Sequence, residues 1–202
     1  MTKGRIVLVR HGESFGNRWE TSFRDDSTNF LTLEGTGQAM VCGNLLKDYK
    51  FEFANVYTSQ LARAKHTAKI ILQILEQPEM HIHVSEDLNE REAMPHPSDD
   101  GPRIQLETFD ELDDRVLPRI RESVIPKLDQ GNVLVVSHYY VMQSILFNLY
   151  QHQWVTRHDI HIDHAVPYVL GDDSFFKLVM PPTCADDFEE MLDEIKESST
   201  NA

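Results

Sequence analysis

Three short β-branched runs, RIVLV at 5–9, ANVYT at 54–58 and NVLVVS at 132–137, constrain this chain more than any other feature. Each is close to continuously apolar, the pattern of a strand covered on both faces within a parallel sheet. Parallel strands need crossover connections, and the segments between these runs have helical spacing. Residues 32–48 begin at Thr32 and carry Leu33, Ala39, Met40, Leu45 and Leu46, while 60–76 carry Leu61, Ala64, Ala68, Ile71, Leu72 and Leu75. This order predicts an α/β fold: a single domain over 1–202 with a mainly parallel central sheet flanked by helices.

The remaining segments fit around that sheet. Residues 108–129 read as helix, with Pro118 and Pro126 expected to kink or divide it, and 140–150 as a more apolar helix. Residues 167–179 read as two strands joined by a Gly-Asp-Asp-Ser turn. An acidic amphipathic helix is expected at 185–196, with Phe188, Met191, Leu192 and Ile195 facing the chain's own core. Residues 85–107 hold three of the nine prolines and no sustained period, which predicts a long, lid-like loop of the kind that often serves function.

Charge and cysteine usage narrow the function. A net charge of −14 argues against nucleic acid, whose phosphate backbone is bound by clustered excess Lys and Arg. It leaves room for a small anionic substrate held by a few convergent arginines. The apolar N-terminal run is too short and too charged for a signal peptide or membrane span, so a cytoplasmic protein without membrane contact is expected. Cys42 and Cys184 lie far apart in no metal-like spacing, and nothing in the sequence marks an oligomeric state.

Each of the three β-branched runs is followed at once by polar residues: Arg10-His11, then Ser59 and Arg63, then Ser137-His138. In parallel α/β sheets the pocket forms at the carboxyl ends of the strands, so these sets should meet on one rim. Two arginines supply forked donors for a dianionic phosphate, and a histidine with one free nitrogen can attack phosphorus. A second histidine can stabilise the transition-state oxygens. Glu90, in DLNERE, is the candidate proton donor for the leaving group. The histidine-rich segments HDIHIDH (His158, His161, Asp163, His164) and His81-Ile82-His83 could be imagined as metal ligands, but neither has the order of a recognised zinc motif, and no metal site is expected.

Arg10-His11-Gly12-Glu13-Ser14, Leu31-Thr32 with GTGQA at 35–39, SQLARA at 59–64, LNER at 88–91 and Ser137-His138 together resemble the histidine phosphatase superfamily, which includes cofactor-dependent phosphoglycerate mutases. The resemblance runs in order to about residue 180. It implies a phosphoglycerate mutase-like fold, with His11 as the nucleophile that becomes phosphohistidine. It further implies that Arg10, Arg63 and His138 hold the transferred group, that Glu90 is general acid and base, and that no metal takes part. Asn17 matches a family position that contacts phosphate; it and Ser14 could equally cap a turn.

The chain departs from the mutase pattern on the substrate side. Mutases continue Glu-Arg with His-Tyr-Gly where Glu92-Ala93-Met94 stands here, and carry Thr-Gly-Trp where Ser22-Phe23-Arg24 stands. Their paired arginines are reduced to a short stretch around Arg103, and the glycine after the second histidine is replaced by Tyr139-Tyr140. Arg24, Arg103 and Tyr139 are therefore the candidate substrate-pocket residues. The expected activity is metal-independent hydrolysis of a small phosphorylated metabolite, without cofactor. The alternatives are a 2,3-bisphosphoglycerate-dependent mutase and a phospholigand-binding pseudoenzyme.

Overall fold

The computed structural model describes residues 4–18, 29–91, 93–94, 104–150, 156–171 and 175–177. Its strands are β1 (Ile6–Arg10), β2 (Phe53–Ser59), β3 (Ile82–Ser85), β4 (Ala93–Met94), β5 (Ile104–Gln105), β6 (Asn132–Ser137), β7 (Pro167–Leu170) and β8 (Phe175–Lys177). The helices are α1 (Phe15–Arg18), α2 (Leu33–Asp48), α3 (Ala62–Ile74), α4 (Phe109–Arg119) and α5 (Tyr139–Leu149). A six-stranded sheet has the order β3-β2-β6-β1-β7-β8. β3, β2, β6 and β1 run parallel, and β7 returns antiparallel beside β1. The mainly parallel sheet expected from the β-branched runs is what the chain forms.

The continuous apolar runs are explained by helices on both faces. Along β1, Ile6 and Leu8 join Leu112, Val116, Met142 and Ile145 of α4 and α5. Val7 and Val9 point the other way into Cys42, Leu46, Ala68 and Ile71 of α2 and α3. Because successive side chains alternate faces, a strand buried on both sides cannot show a polar period. α2 starts at a Thr32 cap whose side chain accepts from the Gly35 N–H, and α4 starts at a reciprocal Thr108–Glu111 capping box.

The proline-bearing stretch divides as its composition suggests. α4 includes Pro118 and ends at Arg119, a single π turn spans Ile120–Val124, and a 3-10 segment with Pro126 in its first turn covers Ile125–Gln130. Of 85–107, expected as a long, lid-like loop, the described residues carry short regular elements. Ser85 ends β3, Glu86–Leu88 form a 3-10 turn with Leu88 fully buried, and β4 pairs antiparallel with β5. Side-chain donors from other elements fix that first turn, a signal local composition does not carry. His83, read from sequence only with His81 as a histidine pair, lies in the edge strand β3. The expected C-terminal helix at 185–196, Cys184, Arg24 and Arg103 lie outside the described residues.

Candidate active site

The carboxyl ends of β1, β2 and β6 bring their polar followers together. Arg10 and Ser137 are register partners across β1 and β6, and the His11 N–H donates to the Ser137 carbonyl at 2.9 Å. His11, Arg63 and His138 are all buried, and the His11 and His138 ring centroids lie 5.0 Å apart. The backbone after β1 can turn this tightly because α2 packs on it without side chains. A Cβ on Gly12 would lie 2.2 Å from the Gly35 carbonyl oxygen, and one on Gly35 would lie 1.9 Å from that of Glu13.

Hydrogen bonds fix which nitrogen of His11 can react. Nδ1 lies 2.7 Å from the Gly12 carbonyl oxygen, which can only accept, so Nδ1 carries the proton and the Nε2 lone pair faces the site. Arg63 Nε donates to that Nε2 at 3.3 Å. Thr67 supports both partners, its Oγ1 accepting from the Gly12 N–H and donating to the Arg63 carbonyl at 3.1 and 2.8 Å. Burial first, then the Arg63 and Arg10 guanidinium groups, hold His11 well below the ordinary histidine range, so the ring is neutral.

His138 is the cap of α5 and is neutral for the same reasons, burial first and Arg63 second. Its Nε2 sits 2.7 Å from Ser59 Oγ, which already accepts the Leu61 N–H at 3.2 Å. When the Ser59 proton goes to Nε2, Nδ1 carries the ring hydrogen. That Nδ1 and Arg10 Nε are buried without a hydrogen-bond partner among the described residues. Arg10 is fixed elsewhere by its Nη1, which donates to the Ile162 carbonyl at 2.9 Å, and by the Tyr139 ring 5.1 Å beneath its guanidinium carbon.

Glu90 meets the first turn of α5. Its Oε2 accepts from the Tyr139 N–H at 3.1 Å and its Oε1 from the Tyr140 and Arg91 N–H groups at 3.2 and 2.9 Å. A carboxylate belongs at such a terminus, where unpaired N–H groups and the helix dipole are positive. Burial nevertheless raises the Glu90 pKa, with these N–H groups, Arg63 and Arg10 working against the rise. One carboxyl of raised pKa beside two neutral imidazoles and two guanidinium groups can deliver and retrieve a proton while a phosphoryl group is held.

A family model described as histidine phosphatase superfamily (branch 1) matches residues 6–98, which include His11, Arg63 and Glu90. A 2,3-bisphosphoglycerate-dependent phosphoglycerate mutase of Parvibaculum lavamentivorans is 31% identical over 168 residues, covering 71% of this chain and 79% of that protein. The chain belongs to the histidine phosphatase superfamily. Within its phosphoglycerate mutase-like branch, mutase 2 of Gloeobacter violaceus, also named as 2,3-bisphosphoglycerate-dependent, is 29% identical over 201 residues, covering 87% of this chain and 90% of that protein. The fold matches the alpha-ribazole phosphatase of Shigella flexneri with a TM-score of 0.64 at 23% identity, covering 88% and 96% of the two chains. As a superfamily member, the protein is an enzyme of the phosphatase or phosphomutase kind.

Of the residues singled out from sequence, this histidine phosphatase superfamily member brings His11, Arg10, Arg63, Glu90, His138 and Tyr139 together. Ser14 and Asn17 are occupied with each other: the Ser14 N–H and Oγ donate to Asn17 Oδ1 at 3.0 and 2.8 Å, across the first turn of the short α1. Sequence reasoning missed His164, set aside as part of a histidine-rich connection. Its Nδ1 lies 2.9 Å from the His11 carbonyl oxygen and its ring 5.5 Å from that of His11. The adjacent Ala165, at φ 50°, donates its N–H to the Arg10 carbonyl, so the turn before β7 is tied to the backbone beside His11. The other histidines of that segment disperse: His158 meets Phe109, and His161 pairs with Asp163. Among the described residues no group of three or more candidate ligands could hold a metal ion, and no helix is long and apolar enough to cross a membrane.

Proposed function

We propose that the protein is a phosphomonoester hydrolase that passes the phosphoryl group of a small phosphorylated metabolite through His11. The observation that carries this reading is the 2.7 Å contact from His11 Nδ1 to the Gly12 carbonyl, because it commits the ring proton and leaves Nε2 as a buried, neutral nucleophile. The Nε2 lone pair attacks phosphorus as Arg63 exchanges its 3.3 Å contact for phosphate oxygens. The ester P–O bond breaks, and protonated Glu90 gives its proton to the departing alkoxide. Glu90, now a carboxylate, takes a proton from water; that water's oxygen attacks phosphorus, the N–P bond breaks and orthophosphate leaves.

Arg10, Arg63 and His138 hold the phosphoryl oxygens in this reading, with Asn17 offering its Nδ2 and Ser14 supporting the turn. The unpartnered Arg10 Nε and His138 Nδ1 favour it, since anionic oxygens are the acceptors that buried charged and ring N–H groups require. All of the chemistry is supplied by side chains, so neither metal nor organic cofactor is invoked. Hydrolysis is favoured over transfer by the chain's departures at Glu92-Ala93-Met94 and Tyr139. The Tyr139 ring places bulk against Arg10 where a glycine would leave room.

The mutase names of the relatives favour a second reading, a 2,3-bisphosphoglycerate-dependent phosphoglycerate mutase. A screen of phosphorylated metabolites with wild type beside His11→Ala separates the possibilities. Hydrolysis predicts phosphate release by wild type alone, with phosphohistidine at His11 trapped by acid-avoiding mass spectrometry. Conversion of 3-phosphoglycerate to its 2-isomer with a trace of bisphosphoglycerate, and without phosphate release, would establish the mutase instead. Binding of phosphorylated ligands with neither turnover nor phosphohistidine would leave a pseudoenzyme.

A further inference from the structure

Glu90 can serve as an acid only if its backbone is placed, and it stands at the end of a turn that one 3-10 element does not fix. We infer that Arg115, on α4, is the positioning residue that sets Glu90 for proton transfer; the inference rests on the acid–base role proposed for Glu90. Arg115 Nη1 donates to the Asp87 carbonyl at 2.7 Å, and Nη2 donates to those of Asn89 and Glu90 at 3.0 and 3.4 Å. One guanidinium therefore gathers three carbonyls of the turn that carries the carboxyl.

Glu107 orients that guanidinium from behind, its Oε1 accepting from Nε at 2.6 Å and its Oε2 from Nη2 at 2.9 Å. Both side chains are largely shielded, so the pair is stiffer than a surface ion pair. A planar fork with five N–H donors can span a carboxylate on one side and several carbonyls on the other; a lysine ammonium cannot. Arg119, one helical turn onward, donates to the Asp87 carboxylate at 2.8 Å, and Ser137 Oγ donates to the Leu88 carbonyl at 2.7 Å. These two fix the start of the turn, whereas Arg115 reaches Asn89 and Glu90 themselves.

Positioning of an acid has a signature that general destabilisation lacks. Attack by His11 Nε2 does not use Glu90, so a displaced carboxyl should harm substrates in proportion to how much their leaving group needs a proton. Phenyl phosphate has a poor leaving group and p-nitrophenyl phosphate a good one. For Arg115→Ala, kcat/KM on phenyl phosphate should fall about 30- to 100-fold, while that on p-nitrophenyl phosphate stays within about threefold of wild type. Arg115→Lys should show the same selectivity and Glu107→Gln a weaker form of it. If Arg115→Ala does not fold, as judged by circular dichroism, the Lys and Gln variants carry the comparison. Equal losses on both substrates, or no loss on phenyl phosphate, overturn the inference alone. Absence of both turnover and phosphohistidine in wild type overturns the reaction and the inference with it.

Discussion

Lowering the pH should destabilise this protein through two histidines that are neutral while folded. His11 and His138 are both held well below their ordinary value of 6.5, by burial first and by the Arg63 charge second. The unfolded chain protonates these rings near 6.5 and the folded chain does not, so below that pH the unfolded state binds more protons and stability falls. Between about pH 7.5 and about pH 5.5, a ring that stays neutral in the fold contributes a tenfold change in the unfolding constant, about 1.4 kcal/mol. The pair contributes about 2.7 kcal/mol if both stay neutral throughout. Urea denaturation at the two pH values, in phosphate-free buffer so that a bound anion does not favour the fold, measures the loss directly. His11→Asn and His138→Asn should each lose about 1.4 kcal/mol less than wild type over the same interval. His83 and His164 are also lowered by burial, but they remain in every variant and cancel from the difference. If His11→Asn loses as much stability as wild type, His11 is not neutral in the fold and the nucleophile assignment loses its physical basis.

Two further outcomes follow from the same geometry. Burial raises the Glu90 pKa, so its stabilising contribution is complete below the unfolded carboxyl value and is lost as pH rises through the raised one. Glu90→Gln should therefore be more stable than wild type in urea at about pH 8, and slower on phenyl phosphate by about 10²-fold or more. A Cβ at Gly35 would meet backbone 1.9 Å away, whereas one at Gly37 in the same helix meets nothing within 4 Å. Gly35→Ala should cost about 3 kcal/mol or more by urea unfolding, and Gly37→Ala should gain about 0.5–1 kcal/mol. Similar values for the two would refute the close seating of α2 on the loop after β1.

The strands that frame the site were legible because a buried parallel strand has a local signature, and RIVLV, ANVYT and NVLVVS all carry it. Their polar followers could be grouped because strand direction alone sends Arg10, Ser59 and Ser137 to one edge. His164 escaped notice for the opposite reason. Its value comes from a turn at Ala165 that pairs with Arg10, a contact between residues far apart in sequence that leaves no local period. The start of the expected lid-like loop was hidden in the same way: Leu88 is core, and the carbonyls around it are held by Arg115 and Ser137.

What the sequence determined by itself is the class of chemistry: a parallel sheet whose strand ends send two arginines and two histidines to one rim, with a glutamate as the candidate proton donor. Tertiary structure decided the protonation of that set. Which nitrogen of His11 holds its proton depends on the Gly12 carbonyl. Whether the imidazoles are neutral depends on burial against Arg63 and Arg10, and where the Glu90 carboxyl stands depends on α5 and Arg115. Residue type fixes what a group can do, but its charge and reactivity are set by desolvation and by neighbours that only folding brings within a few ångströms.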